Sequence, residues 1–322
     1  MAGIGAPGGA GRGAIEALVV IGGSTASGKS ALALALAREL DGVVVNADSQ
    51  QLFADLPILT ARPDAADLAR APHRLYGLLA ADEQPSVARW LDLVVPVLGE
   101  LRAERRAAIL VGGTGLYLHA LLRGLPPMPE IPAELRGELR AWAGDRPTAA
   151  LHARLAARDP AMAARLSPTD RQRLLRAIEV VEATGRSLLA WQADPPVRPP
   201  LPPLLAGMAL VPPAAVVNPR IEARLAAMLA GGALDEVGEL LARRPDATAL
   251  PIAKVHGLRE LAAVQLGTLT PAAATAGIAA QIRQYAKRQR TWFRHQLPEL
   301  AAVAAVGESE AALAAARILI AR

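Results

Sequence analysis

The sequence predicts an α/β fold, in which helices cover both faces of a parallel sheet and an all-helical domain is inserted into that core. Three observations lead to this prediction. Short β-type runs alternate with helical stretches, which is typical of right-handed crossovers between parallel strands. A glycine-rich loop with a phosphate-binding pattern follows the first run. Two proline-rich seams, at 126–132 and 195–203, enclose a stretch whose pattern is helical throughout.

The proline seams set the expected domain boundaries. We expect the core at 15–125 and 204–322, because the β-type runs lie there, and the helical insertion at 126–203. Residues 1–14 are rich in Gly and Ala, and no long apolar segment follows Arg12. We therefore expect a flexible tail at 1–14 rather than a signal peptide.

Composition excludes several classes of protein. The 322 residues are 52% hydrophobic, which is enough to bury a large core. The chain has no cysteine, so disulfides and thiolate metal sites are excluded and a cytoplasmic setting is expected. No apolar segment approaches the roughly 18 residues of a membrane span, so no membrane partner is expected. The net charge of +5 permits an anionic partner without identifying one.

The expected elements alternate along the chain. The β-type runs lie at 18–21, 43–45, 107–111 and 207–211. The helical stretches include 30–40, 86–105, 116–122 and 219–230. Because the carboxyl ends of parallel strands share one edge of a sheet, we expect the ligand site at that edge.

The loop at 23–30 reads G-S-T-A-S-G-K-S, between the first strand and the helix that follows it. Gly23 and Gly28 allow a tight turn in which successive backbone N–H groups point into one concavity. Lys29 supplies a cation for phosphate oxygens, and the hydroxyl of Ser30 can bind Mg²⁺. Strand, loop and helix in this order predict a P-loop NTPase-like core that binds a phosphate group.

The second strand ends in N-A-D-S-Q-Q at 46–51. In a doubly wound sheet this places Asp48 beside the phosphate loop. A carboxylate there could hold the water shell of a metal ion or act as a general base. The alternative is a helix cap, because Asp often begins the helix that follows a strand.

The third strand ends in G-G-T-G-L-Y at 112–117. Its glycines permit close approach of a ligand to the backbone, and Thr114 offers a hydroxyl, although an ordinary turn between strand and helix would look the same. Neither this strand nor the run at 207–211 ends in the acidic residue with which a triphosphatase holds its metal. This weakens the hypothesis of an ATPase.

Arg220 and Arg224 are four residues apart and therefore share one face of a helix. Asn218 and Pro219 predict that this helix begins at Pro219, which puts both arginines near its N-terminus. Cations oppose the helix dipole there, which suggests an anion between them. The alternative is a pair of solvated arginines with Glu222 nearby.

Two further helices are rich in basic residues. One is expected to begin in a capping-box pattern at 167–170, with Pro168 in its first position, and to carry Arg171, Arg173 and Arg176. The other, at 281–296, has no acidic residue, and its side chains Arg283, Lys287, Arg290 and Arg294 are spaced to form one stripe. Such a stripe suits a nucleic-acid backbone, and a merely solvated helix is the alternative.

Six segments, taken in their order along the chain, resemble the tRNA dimethylallyltransferase family. They are 23–30, 46–51, T-A-R-P at 60–63, 112–117, D-R-Q-R-L-L-R-A-I-E at 170–179 and Y-A-K-R-Q-R-T-W-F-R at 285–294. Members of that family transfer a dimethylallyl group from its diphosphate to the exocyclic amine of the adenosine just 3′ of the tRNA anticodon. They join a phosphate-loop core to a helical insertion. The resemblance therefore implies that the loop holds the diphosphate of an isoprenoid donor rather than ATP.

The resemblance also implies roles for individual residues. Asp48 would be the general base, Lys29 and Arg224 the other catalytic residues, and Ser30 would lie beside the implied cofactor, Mg²⁺. Contacts with dimethylallyl diphosphate are implied for Gly23, Thr25, Ala26, Ser27, Gly28, Lys29, Ser30, Arg220 and Arg224. Contacts with the tRNA anticodon stem-loop are implied for Asp48, Ser49, Gln50, Gln51, Thr114, Arg136, Gln172, Arg173, Leu174, Leu175, Arg176, Lys254, Val255, His256, Gly257, Leu258 and Arg259. The enzyme is expected to be a monomer.

Two positions depart from the family pattern. Ser24 stands where a proline is usual, and Leu258 stands where an aromatic residue usually follows the glycine. A small-molecule or nucleoside kinase would use the same loop for ATP, but it leaves the basic helix at 281–296 unexplained. An RNA-binding protein with the loop as a nucleotide switch would leave Asp48 without a role.

Overall fold

The computed structural model describes residues 17–199 and 201–321. The predicted tail at 1–14 lies outside these described residues. The chain divides into two compact units, one with the described residues up to Leu121 and those from 201 onward, the other with Leu122–Pro199.

One parallel sheet forms the centre of the first unit. In chain order its strands are β1 (Leu18–Gly23), β2 (Val43–Asn46), β3 (His73–Arg74), β4 (Ala108–Gly112), β5 (Leu204–Leu210) and β6 (Ala301–Val303). Their order across the sheet is β3-β2-β4-β1-β5-β6, and neighbouring strands are parallel throughout. The prediction of a parallel α/β sheet is confirmed, and the four predicted runs are its four inner strands. The edge strands β3 and β6 were not predicted.

Fourteen α-helices lie among the described residues. They are α1 (Lys29–Glu39), α2 (Ala65–Arg70), α3 (Val87–Ala103), α4 (Gly115–Arg123), α5 (Ala133–Ala143), α6 (Thr148–Arg158), α7 (Pro160–Arg165), α8 (Arg171–Thr184), α9 (Leu188–Gln192), α10 (Ala214–Ala230), α11 (Ala233–Arg243), α12 (Leu258–Gln265), α13 (Pro271–Gln296) and α14 (Glu310–Ile320). Two short 3₁₀ helices precede α12, at Ala247–Ala249 and Pro251–Lys254.

The sheet is buried because helices cover both of its faces, which is why its inner strands are almost uninterrupted apolar runs. Val19 and Ile21 of β1 pack with Leu36 of α1 and Ala316 of α14 in one apolar cluster. Elsewhere in the unit, the indole of Trp90 in α3 stacks on the ring of Tyr117, 4.7 Å away between ring centroids. The same indole donates a hydrogen bond to the backbone oxygen of Asn46, at 2.9 Å, and so ties α3 to the end of β2.

Two helices begin elsewhere than the sequence indicated. The helix that carries Arg220 begins at Ala214, so Pro219 lies inside α10 and the predicted start was wrong. The helix accepts the β-branched pair Val216 and Val217 in its first turn, where Val217 is buried. Likewise α8 is capped by Asp170, whose carboxylate accepts from Arg173 N at 3.1 Å, and not by the residues before it.

The second unit is helical, built from α5 to α9 around an apolar core of its own. Leu151 and Leu155 of α6 and Ile178 of α8 are fully buried in it. A pair of backbone hydrogen bonds between Leu125 and Val197, at 2.9 and 3.3 Å, joins the two ends of the unit. Its observed bounds, Leu122–Pro199, lie a few residues before the expected 126–203 at each end.

Candidate active site

The phosphate loop joins β1 to α1 and is held by the neighbouring strand β5. Gly23 has a φ of 139°, and a Cβ there would lie 2.3 Å from the backbone oxygen of Leu210, so only glycine fits. The next residue, Ser24, donates its N–H to that same oxygen, at 3.2 Å. At the other end of the loop, Gly28 precedes α1 with a φ of 83°. Since α1 has neither a side-chain cap nor an acidic residue in its first turn, its positive end is available to an anion.

Two cations and one carboxylate meet behind this loop. The Nζ of Lys29 donates to the backbone oxygen of Ser24 at 2.6 Å. Burial lowers the pKa of Lys29 from 10.5 to about 8, with Asp48 opposing the shift and Arg224 adding to it. Burial also lowers the pKa of Arg224, again opposed by Asp48. Two partly buried cations against one carboxylate leave a positive charge that a bound anion would balance.

These charged groups line a cavity that we call the inner cavity. Lys29, Ser30, Asp48 and Arg224 form its polar part. Most of its apolar wall comes from α10 and α13, which contribute Ile221, Leu225, Met228, Ile278 and Ile282. An apolar chain attached to an anionic group would be complementary to such a cavity.

Asp48 lies in a turn, not at the start of a helix. Its backbone N–H donates to Asn46 Oδ1 at 2.8 Å, and its own Oδ1 accepts from Gln50 N at 3.0 Å. The next helix along the chain, α2, begins only at Ala65. The alternative of a helix cap is therefore wrong. The carboxylate instead faces the inner cavity together with Lys29.

The turn after β4 packs against the turn after β2. Thr114 Oγ1 accepts from Ser49 N at 2.9 Å. A Cβ on Gly112 would lie 2.0 Å from the backbone oxygen of Ala47. Gly112 therefore permits the close approach of another backbone segment, whereas the sequence had suggested the close approach of a ligand. Gly112 also borders the inner cavity.

Gln289 of α13 connects two of these turns, and sequence reasoning gave it no role. Its Nε2 donates to the backbone oxygen of Gly113, and its Oε1 accepts from Thr25 N, each at 2.8 Å. The side chain is 4% exposed, and its bond to Gly113 is buried while its bond to Thr25 is part-buried. Phe293, one turn later, lies against Gly22, where a Cβ would meet the ring. One face of α13 thus fixes the phosphate loop relative to the turn after β4.

Arg220 also contacts the phosphate loop. Its Nε donates to the backbone oxygen of Ala26 at 2.9 Å, and its Nη2 lies 2.6 Å from Glu308 Oε1. The predicted closeness of Arg220 to the donor-binding residues agrees with this position. The predicted reason was a position near the start of the helix, and it was wrong, because Arg220 lies in the second turn of α10.

Comparison with known proteins identifies the family. The model of the IPP transferase family matches residues 51–296, which is more than half of the chain. The chain belongs to the IPP transferase family. A tRNA dimethylallyltransferase of Rhodospirillum rubrum is 52% identical over 282 residues, covering 87% of this chain and 86% of the relative. One from a Methylobacterium species is 54% identical over 283 residues, covering 86% and 90%.

Solved structures agree with this family. A tRNA isopentenylpyrophosphate transferase from Bacillus halodurans is 30% identical, covers 89% of each chain and superposes with a TM-score of 0.63. A eukaryotic dimethylallyltransferase acting on tRNA has a TM-score of 0.77 at 22% identity, covering 94% of this chain and 78% of its own. At that identity the second likeness concerns the fold alone.

In this member of the IPP transferase family, the segment at 254–259 mixes exposed and buried residues. Lys254 and Arg259 are exposed. Val255 and Leu258 are buried at 2% and 0% exposure, so they pack the core and are not placed to contact tRNA directly. Gly257 is buried as well and has a φ of 95°, which suits a glycine before α12. The family-derived expectation of tRNA contact is therefore corrected for these three buried positions.

His256, in the same segment, borders the inner cavity. Its ring lies 4.8 Å from that of Tyr285 between centroids, and its Nε2 is buried without a hydrogen-bond partner. Burial lowers the pKa of His256, while Asp48 opposes the shift, so the imidazole is neutral near pH 7. Gln50 is held beside it, because Gln50 Oε1 accepts from His256 N at 3.2 Å. Gln51 also borders the cavity.

The second unit carries the other expected tRNA contacts. Gln172 and Arg173 are exposed on α8, and Leu175 is partly buried. Leu174 is 0% exposed in the core of the unit, so the expectation that it contacts tRNA is corrected. Arg176 lies 3.6 Å from the buried carboxylate of Glu179.

Arg136, on α5 of this unit, is partly buried. Its Nη2 donates to the backbone oxygen of Ile131 at 3.4 Å. This bond holds the guanidinium of Arg136 against the start of α5.

The basic stripe predicted on α13 is only partly exposed. Arg283 pairs with Glu222 at 3.0 Å, and Arg290 has a buried Nη1 without a hydrogen-bond partner. Of the four residues of the predicted stripe, Lys287 and Arg294 are exposed, whereas Arg283 and Arg290 are partly buried, and whether the stripe contacts a nucleic-acid backbone stays a prediction. The exposed basic residues of this segment are Lys287, Arg288 and Arg294.

The described residues contain no group of three or more His, Cys, Asp or Glu side chains that could hold a metal ion. Ser30 is exposed at the start of α1 and borders the inner cavity together with Asp48. This arrangement fits Mg²⁺, which commonly binds through substrate phosphates and water with few protein ligands. No helix among the described residues is long and apolar enough to cross a membrane.

Proposed function

We propose that this chain transfers a dimethylallyl group from dimethylallyl diphosphate to the N6 amine of the adenosine just 3′ of the tRNA anticodon, and releases diphosphate. The observation that carries the proposal is the inner cavity, whose lining combines Lys29 and Arg224 with an apolar wall. Membership of the IPP transferase family supports the same reaction.

The diphosphate of the donor binds at the phosphate loop in this proposal. The unpaired backbone N–H groups at the start of α1 receive its oxygens, and Lys29 and Arg224 balance its charge. Ser30 would hold Mg²⁺ at the diphosphate, and the metal would add charge stabilisation for the leaving group. The five-carbon group lies against Ile221, Leu225 and the neighbouring apolar side chains.

The transfer breaks the bond between C1 of the dimethylallyl group and the diphosphate oxygen, and forms a bond from C1 to N6 of adenosine. The electron pair of the broken bond leaves with the diphosphate, where Lys29 and Arg224 stabilise it. Positive charge develops on the allylic carbons as that bond lengthens. The amine loses one proton, and Asp48 accepts it, because Asp48 borders the inner cavity together with the two cations and the apolar wall.

The adenosine must leave the stack of the anticodon loop to reach this cavity. Unstacking costs little for a base that is already in a loop. We propose that Ser49, Gln50, Gln51, Thr114, Lys254, His256 and Arg259 of the first unit, and Arg136, Gln172, Arg173, Leu175 and Arg176 of the second unit, contact the tRNA. We also propose that the enzyme works as a monomer in the cytoplasm, where tRNA is found.

Label transfer tests this proposal. The protein is incubated with an unmodified tRNA transcript and either radiolabelled dimethylallyl diphosphate or ATP labelled on its terminal phosphate. We expect the label of dimethylallyl diphosphate, and not that of ATP, to appear in the tRNA. Transfer of the ATP label to any acceptor, with none from dimethylallyl diphosphate, would replace the proposal with a kinase.

A further inference from the structure

A short segment after β6 lies across the phosphate loop. This segment, residues 304–309, which we call the strap, leads from β6 into α14. The N–H of Gly307 donates to the backbone oxygen of Ser27 at 2.8 Å. A Cβ on Gly28 would lie 2.2 Å from Glu308 Oε2, which shows how closely the strap contacts the loop. At its end, Ser309 caps α14 by accepting from Ala312 N at 3.2 Å.

The strap places a carboxylate at the outer side of the loop. Glu308 Oε1 lies 2.6 Å from Arg220 Nη2, and Arg220 itself holds the loop through Ala26. The carboxylate is 45% exposed, so it faces solvent as well as its partner. It borders a second opening of the site, which we call the outer cavity.

The inner and outer cavities share Lys29, Ser30, Gln51 and Arg224. The apolar residues of α13 border only the inner cavity, and Glu308 borders only the outer one. A donor whose apolar chain lies in the inner cavity therefore has its diphosphate at the shared residues. The far end of that diphosphate points toward the outer cavity and Glu308.

We infer that Glu308 is a specificity residue, which limits the bound anion to a diphosphate by opposing any further phosphate at the outer cavity. This inference rests on the proposed binding of a diphosphate at the loop. A third phosphate would add negative charge beside the carboxylate of Glu308. A third phosphate could bind only if it overcame the repulsion of this carboxylate, or if Glu308 first moved away from Arg220.

Without Glu308, the outer cavity would favour a third phosphate. Arg62, Arg70 and His73 also border it, and a cavity rich in basic groups attracts longer polyphosphates more strongly. Glu308 and Asp67 are the acidic residues on the border of the outer cavity, and of these two Glu308 lies against Gly28 of the loop. Removing the charge of Glu308 should therefore change the affinity for a triphosphate more than that for a diphosphate.

Titration with inorganic anions tests the inference without tRNA or donor. Calorimetry measures the dissociation constants of pyrophosphate and tripolyphosphate for the wild type, Glu308→Gln and Glu308→Ala, with Mg²⁺ in excess. We expect both variants to bind tripolyphosphate about ten-fold more tightly than the wild type, as the loss of one like-charge contact in a partly exposed site predicts. Their affinity for pyrophosphate should change by less than about three-fold.

Glu310→Gln is the matched control, because it removes the same charge from an exposed position two residues further on. The role of Glu308 would be overturned if its variants changed the affinity for both anions equally, or if Glu310→Gln changed the affinity for tripolyphosphate as much. Either result would leave the diphosphate site intact. A wild-type protein that binds neither anion would instead contradict the proposed function itself. Circular dichroism checks that each variant is folded.

Discussion

Replacing Gln289 tests whether α13 holds the phosphate loop in place. Gln289→Leu removes both hydrogen bonds of the buried amide, and leaves Thr25 N–H and the backbone oxygen of Gly113 without partners. A buried polar group left unpaired costs about 1–3 kcal/mol, so the loss at Gly113 should lower the free energy of unfolding by about that amount, with a smaller cost at the part-buried Thr25 N–H. Because Thr25 belongs to the donor-binding loop, the KM for dimethylallyl diphosphate should also rise.

A second substitution at the same position separates the two hydrogen bonds. Gln289→Glu keeps an acceptor for Thr25 N–H, but its carboxyl can donate to Gly113 only when protonated. Burial and this bond raise the pKa of that carboxyl above its unfolded value of about 4.3. The stabilising bond is therefore fully present below pH of about 4 and is lost as the pH rises through the folded pKa. The free energy of unfolding of Gln289→Glu should therefore be closest to that of the wild type at acidic pH.

Urea unfolding at several pH values and steady-state kinetics measure these effects. Gln284→Leu serves as the control, because Gln284 is an exposed glutamine on the same helix. We expect it to change stability by less than about 0.5 kcal/mol. If Gln289→Leu were as stable as the Gln284→Leu control and had an unchanged KM for the donor, the bridging role would be refuted.

Three further predictions follow from the charged groups. The pKa of Lys29 is about 8, and a bound anion favours the charged amine. The affinity for pyrophosphate should therefore fall by up to about ten-fold per pH unit above pH 8. Calorimetry should find no such pH dependence in Lys29→Ala. Arg224→Ala should lower the single-turnover rate by about two to three orders of magnitude with tRNA affinity unchanged, and an unaltered rate would remove it from catalysis. Replacing Arg173 and Arg176 together with Ala should weaken tRNA binding and reduce its salt slope by about one per lost phosphate contact, and equal affinity at low salt would exclude them from the interface.

The parts of the fold and site that the sequence predicts are those set by neighbouring residues. The phosphate loop is one example, because Gly23, Gly28, Lys29 and Ser30 lie within eight positions and the turn depends on their own backbone. The four inner strands are another, because burial on both faces makes each of them an apolar run. The edge strands were missed for the corresponding reason, since one has only two residues and the other only three.

The parts that the sequence did not predict depend on contacts between distant segments. Gln289 meets Thr25 across 264 positions, and Glu308 meets Arg220 across 88, so no local pattern indicates either contact. The same holds for Arg290, which has the spacing of a surface stripe but a buried Nη1. Whether Asp48 caps a helix was also undecidable from spacing, because it depends on how far the turn after β2 extends.

The position and rate of prenylation test most directly the claim that Asp48 accepts the proton of the adenosine amine in the inner cavity. Single-turnover transfer from dimethylallyl diphosphate to an unmodified tRNA transcript is measured for the wild type and Asp48→Asn, with Asp41→Asn as an exposed control, and nuclease digestion with mass spectrometry locates the product. We predict that the wild type and the control modify the adenosine 3′ of the anticodon at similar rates. Asp48→Asn should be slower by about two to four orders of magnitude, with donor and tRNA affinities within a few-fold of the wild type. A folded Asp48→Asn protein that modifies this adenosine at the wild-type rate would contradict the claim.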